Sequence, residues 1–356
     1  MDTIAAPPPP ATAADTPSAQ TVSPAPSDRW AAWDNFLMST PETGFMQSSW
    51  WADFRVGVGY EYFAIILKHA GSILGGALVH KFPFAPDDSF YYIQDGPVLP
   101  DDPSAAADVF AATINAIEDR RRTETRTISH LRIEPRWPRL PDFVSGFRPL
   151  ARRDSYFEPR TTLCVDVRPS DELILAQMKP KGRYNIRVAQ RHGVSVVEDN
   201  SAQGLADFLR LYAEMVRRQE LKGKPSYYFE TLLPALWSVG HGSLFFAEYA
   251  GVRLAAALVV FFGRMAIYFY GASLDERRNV MAPYLLHFEI MRNARARGHQ
   301  WYDFWGICPE NEPDHPWQNF STFKRKFGGV EFNIVPTLDY IYDSAAYDRY
   351  VASQDD

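Results

Sequence analysis

Ala70-Gly71-Ser72-Ile73-Leu74-Gly75-Gly76-Ala77-Leu78-Val79 and Ala250-Gly251-Val252-Arg253-Leu254-Ala255-Ala256-Ala257-Leu258-Val259 are two copies of one pattern. Each copy follows an apolar stretch containing a Phe-Ala pair, Phe63-Ala64 and Phe246-Ala247. Each reads as strand, tight turn at Ala-Gly, strand, because Gly supplies the positive φ that hairpin turns demand. A third apolar strand follows each time (Phe90–Ile93 and Met265–Gly271), then a helix, then a further strand (His130–Glu134 and Gln300–Trp305). The repeat predicts two similar α+β domains, with mixed sheets flanked by helices. A chain of 356 residues holds two such units. They are placed at 28–160 and 161–345, with a C-terminal tail at 346–356. Residues 1–27 are mostly Ala, Pro, Ser and Thr. Such a segment cannot offset its ordering entropy by burial and is expected to be disordered. In the second unit, Ser170 suits a helix N-cap, and helices are expected over 202–219 and 283–297.

Charge and cysteine usage narrow the function classes. The net charge of -6 does not mark a general nucleic-acid binder, so any RNA contact must come from a local patch. Cys164 and Cys308 give neither a disulfide framework nor zinc spacing, which suits a reducing cytoplasm. The longest apolar run, around Leu254–Phe262, is too short for a transmembrane segment. The start of the chain has neither the basic residues nor the apolar core of a secretory signal. Glu310, Glu312, Asp314 and His315 lie in a Pro-broken loop without the fixed spacing of metal ligands, so no metal is expected and the loop reads as a solvated lid.

The stretch Tyr302–Gly329, YDFWGICPENEPDHPWQNFSTFKRKFGG, joins a short aromatic strand, a polar loop and an aromatic helix ending in Phe323-Lys324-Arg325-Lys326-Phe327 before Gly328-Gly329. It resembles the closing part of the Fem family, the FemA/FemB/FemX-like aminoacyl-tRNA-dependent transferases that build peptidoglycan cross-bridges. Met178-Lys179-Pro180-Lys181-Gly182-Arg183-Tyr184-Asn185-Ile186-Arg187, Phe45-Met46-Gln47-Ser48-Ser49-Trp50-Trp51 and Tyr91-Tyr92-Ile93-Gln94-Asp95-Gly96-Pro97-Val98 are similar to further segments of that family, in its order. The resemblance runs from about Trp30 to Tyr342 and implies two tandem GNAT-like acyltransferase domains. It is of the compact type, with no room for the long helical arm that some members insert.

What the resemblance implies about chemistry is attack by a free amine on an aminoacyl ester at a tRNA terminus. The catalytic candidates are Phe323 and Lys324, matching the pair that serves the aminoacyl-RNA end in the family. A fixed ammonium there would stabilise the oxyanion of the tetrahedral intermediate. Asp95, at a strand end, is a candidate acceptor of the amine's proton. By the family pattern Arg55, Lys224 and Tyr228 bind the acceptor, with Lys224 at a place where Arg is commoner; Tyr270, at the end of the middle strand of the second unit, is a candidate to line the same cleft as Asp95. Lys179, Lys181, Arg183, Arg187 and Arg191 have no acidic residue among them. The last three recur every four residues, one helix face that reads as a phosphate-binding ridge.

The Gly-rich turn by which GNAT enzymes cradle the pyrophosphate of acetyl-CoA is missing from both Gly96–Asp108 and Gly271–Leu285. No CoA is therefore expected, and aminoacyl-tRNA is the expected co-substrate. The implied acceptor is the stem-peptide amine of a UDP-linked or lipid-linked muropeptide precursor, reached in the cytoplasm with peripheral contact at the inner membrane face. The same site would serve transfer to another amine, such as that of a secondary metabolite or an aminolipid. A non-catalytic module binding RNA or a precursor would carry the same motifs.

Overall fold

The computed structural model describes residues 18–22, 27–41, 43–150, 158–310, 312 and 315–354. The strands are β1 (Ser18–Val22), β2 (Glu61–His69), β3 (Ser72–Pro83), β4 (Asp88–Gln94), β5 (Thr127–Glu134), β6 (Arg148–Pro149), β7 (Thr161–Asp166), β8 (Ser195–Glu198), β9 (Gly242–Tyr249), β10 (Val252–Phe262), β11 (Met265–Ser273), β12 (Trp301–Gly306), β13 (Val330–Asn333) and β14 (Leu338–Ile341). The helices are α1 (Ser27–Ser39), α2 (Ser49–Gly57), α3 (Pro103–Arg121), α4 (Asp171–Gln177), α5 (Pro180–His192), α6 (Ala202–Gln219), α7 (Ser226–Ser238), α8 (Ala282–Ala296), α9 (Gln318–Lys324) and α10 (Ser344–Ser353).

Two seven-stranded mixed sheets result, ordered β1-β2-β3-β4-β5-β14-β6 and β13-β7-β12-β11-β10-β9-β8. The sequence repeat becomes a structural one. β2-β3-β4-α3-β5 and β9-β10-β11-α8-β12 are each an antiparallel meander, a helix, and a strand parallel to the last of the meander. The turns at Ala70-Gly71 (φ 47° and 82°) and Ala250-Gly251 (φ 49° and 75°) are both left-handed, the twist that matches a two-residue hairpin.

The two units share a hydrophobic core. Trp33, Trp51 and Phe54 of the first pack with Phe208, Phe229, Leu236, Phe246 and Leu258 of the second. The Phe45–Trp51 motif has a structural basis here. β3 and β4 pair only from His80↔Tyr92 to Pro83↔Ser89. Gln47, fully buried, bridges the strands beyond that point: its Oε1 accepts the Leu78 N–H at 2.7 Å and its Nε2 donates to the Gln94 carbonyl. This satisfies backbone groups that would otherwise be buried unpaired.

The ends of the chain differ from expectation. Ser18–Val22, placed in the disordered tail, pair with β2 from Ser18↔Lys68 to Val22↔Ala64. A compositional argument weighs side-chain burial and misses the open backbone edge of β2. Residues 1–17 and 23–26 of that tail lie outside the described residues, as does Asp314 in the loop. The boundary at 345 does not follow the sheets. β14 returns to pair with β5 of the first unit from Leu338↔Ile133 to Ile341↔His130. Nor do 346–354 form a free tail, since α10 buries Tyr347 and Tyr350, three apart on one face, while 355–356 lie outside the described residues. Arg132 donates to Tyr350 Oη at 2.7 Å, and Arg349 forks onto Asp88 at 2.7 and 2.9 Å. Among the described residues no helix is long and apolar enough to cross a membrane.

Candidate active site

The second sheet opens where the first stays closed. β4 and β5 pair as far as Gln94↔Glu134, whereas β11 and β12 pair only from Met265↔Trp301 to Ile267↔Asp303. Past that point Trp305 adopts φ 63°, and the strand ends carry Phe269, Tyr270, Trp305 and Gly306 to the wall of a cleft of about 360 Å³. α2 of the first unit, α7 and α9 close it with Trp51, Arg55, Tyr228, Phe320 and Lys324. Phe54 packs edge-on against Tyr228 at 5.0 Å, which sets α2 against α7. A groove of about 400 Å³ beside α8 is of similar size, but its charged side chains are already paired, Glu198 with Arg297, Arg292 with Glu289 and Arg295 with Asp171.

Five of the expected site residues meet in the cleft: Arg55, Lys224, Tyr228, Tyr270 and Lys324. Arg55 is buried, with its guanidinium over the Tyr60 ring at 4.0 Å and the Phe82 ring at 4.9 Å. Its Nε has no hydrogen-bond partner, and among the described residues no carboxylate pairs with it. Desolvated stacking of this kind is worth about 2 kcal/mol and leaves the cation free for an anion. Lys224 lies on the exposed surface but reaches its ammonium over the Tyr228 ring at 5.4 Å. Burial of that end and repulsion from Arg55 hold it below the ordinary lysine range, with Glu158 opposing. Tyr270 Oη donates to Tyr228 Oη at 3.2 Å, and burial pushes Tyr228 up to about 12. Both phenols are therefore neutral donors at physiological pH.

Lys324 is 7% exposed, and its Nζ donates to the Gly306 carbonyl at 2.6 Å. Burial brings it down from 10.5 to about 7, with Asp303 alone pulling the other way. Near neutrality it is therefore populated as both ammonium and amine. The physical cause is that the helix turn faces inward rather than into solvent.

The remaining candidates fall elsewhere. Phe323 does not line the cleft; its ring packs against Tyr284 at 5.0 Å and His287 at 5.5 Å behind Lys324. One residue along a helix turns the side chain by about a quarter turn, so the two neighbours cannot share a face. Asp95 is buried one step below the cleft. Its Oδ2 accepts the Met46 N–H at 3.3 Å, and burial raises it, with Arg136 opposing. It opens instead on two smaller neighbouring cavities, with Glu134, Arg136 and Glu158 in one and Pro97, Leu99 and Phe143 in the other. The basic ridge lies on α5, outside the cleft. Lys179, Lys181, Arg187 and Arg191 are exposed, but Arg183 turns back to donate to the Met178 and Ala176 carbonyls, capping α4.

The sequence reading passed over Glu158, Asp303 and Arg136. Glu158 lines both the cleft and the cavity beneath it, accepts Gln94 Nε2 at 3.1 Å, and is raised well above the carboxylate range by burial, then by Glu134 and Asp95. Its only local signal was the proline after it. Asp303 sat inside the recognised aromatic strand. Its Oδ1 accepts the Trp305 N–H at 2.7 Å and the Thr162 hydroxyl, holding the turn that presents the Gly306 carbonyl to Lys324.

The FemAB family pattern matches residues 149–236 and 243–352. A lipid II:glycine glycyltransferase of Staphylococcus epidermidis is 22% identical over 386 residues, covering 88% of this chain and 92% of that protein. One of Staphylococcus aureus is 22% identical over 391 residues, with the same shares. Among solved structures, FemX superposes with a TM-score of 0.79 at 20% identity, covering 89% of this chain and 96% of that one. A tandem GNAT protein from the clavulanic acid biosynthesis pathway superposes with a TM-score of 0.52 at 13% identity, covering 90% and 98%. The fold is thus the tandem GNAT-like α+β arrangement, and the chain belongs to the FemAB family.

Proposed function

We propose that this protein is an aminoacyltransferase of peptidoglycan cross-bridge formation, moving an amino acid from aminoacyl-tRNA to the stem-peptide amine of a lipid-linked precursor. The observation that carries the reading is the cleft between the two units. Its wall holds a buried Arg55, with no carboxylate partner among the described residues, together with Lys224, suited to a phosphate, and Lys324 beside the end of the opened strands. The staphylococcal relatives are named for glycyl transfer and for lipid II.

In the proposed reaction the acceptor amine attacks the ester carbonyl carbon. The C–N bond forms, the carbonyl oxygen becomes an oxyanion, and the C–O bond to the ribose then breaks. Lys324 as ammonium donates a hydrogen bond to the oxyanion, and removing such a donor typically costs about 10²–10³ in rate. The proton lost by the amine passes to Glu158 in the cleft wall and returns to the departing ribose oxygen. The ridge of Lys179, Lys181, Arg187 and Arg191 supplies phosphate contacts for the RNA outside the cleft.

The test is transfer of radiolabelled amino acid from a set of charged tRNAs to lipid II in vesicles, to the soluble UDP-linked muropeptide, and to unrelated amines. The reading expects product on lipid II above that on the unrelated amines. Preference for the UDP-linked acceptor would move the substrate to the soluble precursor. Transfer from acetyl-CoA, with none from charged tRNA, would contradict the proposed donor.

A further inference from the structure

We propose that an outer rim made of Val56 of α2, Tyr227 of α7 and Leu221 of the α6–α7 connection rests in the headgroup layer of a phospholipid bilayer and holds the cleft over a membrane-borne acceptor. The inference rests on the lipid-linked acceptor named above.

The rim borders the residues suited to a phosphate. Val56 adjoins Arg55, and Leu221 and Tyr227 lie three residues before and after Lys224. Three residues of chain reach at most about 11 Å, so none of the three strays far from that part of the cleft wall. α2 and α7 meet closely here. Gly57 lies against Thr231, where an added Cβ would stand 2.6 Å from Thr231 Cγ2, so glycine lets the two helices touch. Thr231 sits one turn after Tyr227, and its hydroxyl donates to the Tyr227 carbonyl at 2.8 Å. This contact brings Val56 and Tyr227 to one outer surface. The connection is held too: Leu221 N–H donates to the Val216 carbonyl and Lys224 N–H to Tyr212 Oη, both at 3.1 Å.

Burial separates these neighbours into two sets. Arg55 and Tyr228 are buried, whereas Val56 and Leu221 are each 50% exposed and Tyr227 56%. Lys224 joins the sets, starting at the surface and carrying its ammonium over the Tyr228 ring. A single apolar side chain in water needs no explanation; three beside the phosphate-suited wall of a cleft do. A phosphate that links a sugar to a lipid chain lies at headgroup depth. Binding it through Arg55 and Lys224 brings their exposed neighbours to the same depth, where Val and Leu meet the acyl boundary and a Tyr ring is favoured. Charge points to the same attachment. The exposed acids Asp53, Glu220 and Glu230 offset Lys222 and Lys224, so the rim has no electrostatic need of anionic lipid. The ridge on α5, with no acid among its cations, would need it.

The experiment uses the full chain and three measurements: sedimentation with acceptor-free phosphatidylcholine vesicles, transfer to lipid II in the same vesicles, and transfer to the soluble UDP-linked muropeptide. Val56→Glu combined with Tyr227→Glu should lower vesicle partitioning about tenfold or more, because it replaces apolar contact with charge at the interface. It should raise KM for vesicle-borne lipid II by a similar factor and leave the kinetics on the UDP-linked acceptor at wild-type values. Val56→Leu combined with Tyr227→Trp should keep both vesicle readouts. Unchanged partitioning and KM in the charged variant would overturn the proposal. So would partitioning that needs anionic lipid and is lost in variants of the α5 ridge instead, or a wild-type dimer that the charged variant splits, which would seat a second copy on the rim. Partitioning that follows the rim, with no transfer to lipid II, would support the rim and count against the proposed acceptor. If the wild type does not use the UDP-linked acceptor, partitioning together with a melting curve separates loss of the rim from misfolding.

Discussion

Lys324 Nζ lies 2.6 Å from the carbonyl oxygen of Gly306, and Gly306 is presented there by a strand end that has parted from its neighbour. A lysine at the end of a short basic helix would ordinarily point into water and complement the helix dipole, a contribution of about 0.3–1 kcal/mol. This one is buried with a single backbone acceptor, and the two placements predict opposite stabilities.

Lys324→Met should therefore stabilise the fold near neutral pH. The unfolded chain keeps this proton up to about pH 10.5, whereas the folded chain releases it above about 7. The folded state is thus penalised fully below pH 7, progressively less between 7 and 10.5, and not at all above. Against this stands the lost hydrogen bond to Gly306, so the net gain should be on the order of 1–3 kcal/mol at pH 6–7. Chemical denaturation of both proteins at pH 6, 8 and 10 checks it. The advantage of the variant should shrink as the pH rises, and a variant less stable at pH 6 would place Lys324 among ordinary structural lysines.

Arg55 should govern acceptor affinity rather than turnover. Arg55→Gln is expected to raise KM for the acceptor about tenfold or more with kcat nearly unchanged, because it removes binding common to ground and transition states. Arg55→Lys should recover little, since an ammonium cannot keep the planar stack on Tyr60 and Phe82. Steady-state kinetics on the three proteins decides. A fall in kcat at constant KM would place Arg55 in the chemistry instead.

The ridge divides in two. Charge-removing changes at Lys179, Lys181, Arg187 and Arg191 should each lower the slope of log K against log salt for tRNA binding by roughly one. Arg183→Gln should leave that slope nearly intact and lower the melting temperature, because its guanidinium caps α4. Fluorescence titrations with tRNA between low and physiological salt separate these outcomes. Unchanged slopes in the first group would make the ridge an ordinary solvated face.

The parts of this structure that were legible in the sequence are those governed locally. The hairpins at Ala70-Gly71 and Ala250-Gly251 could be read because their backbone needs positive φ. The helix expected over 202–219 is present as α6, where Ser201 accepts the Gly204 N–H at 3.1 Å, again a local signal. The cleft residues Arg55, Lys224, Tyr228 and Lys324 could be named only through the family resemblance, since none has a local signal distinguishing it from a surface or core residue, whereas Tyr270 could be named from its place at the end of a strand. What local pattern cannot carry is the return of β14 to β5, or the meeting of Arg136 with Asp303. Both depend on which strand edge remains open after the units have formed. Arg183 shows the same limit in reverse: its spacing put it on the ridge, but the carbonyls at the end of α4 drew its side chain away.

The most direct test of the account is single-turnover transfer by wild type and Lys324→Met, from charged tRNA to lipid II in vesicles, with acceptor affinity and a melting curve measured on the same samples. The account predicts a rate lower by about two to three orders of magnitude with acceptor binding preserved and the melting temperature unchanged or higher. A wild-type single-turnover rate in a folded Lys324→Met protein would remove Lys324 from the chemistry, and with it the centre of the proposed mechanism.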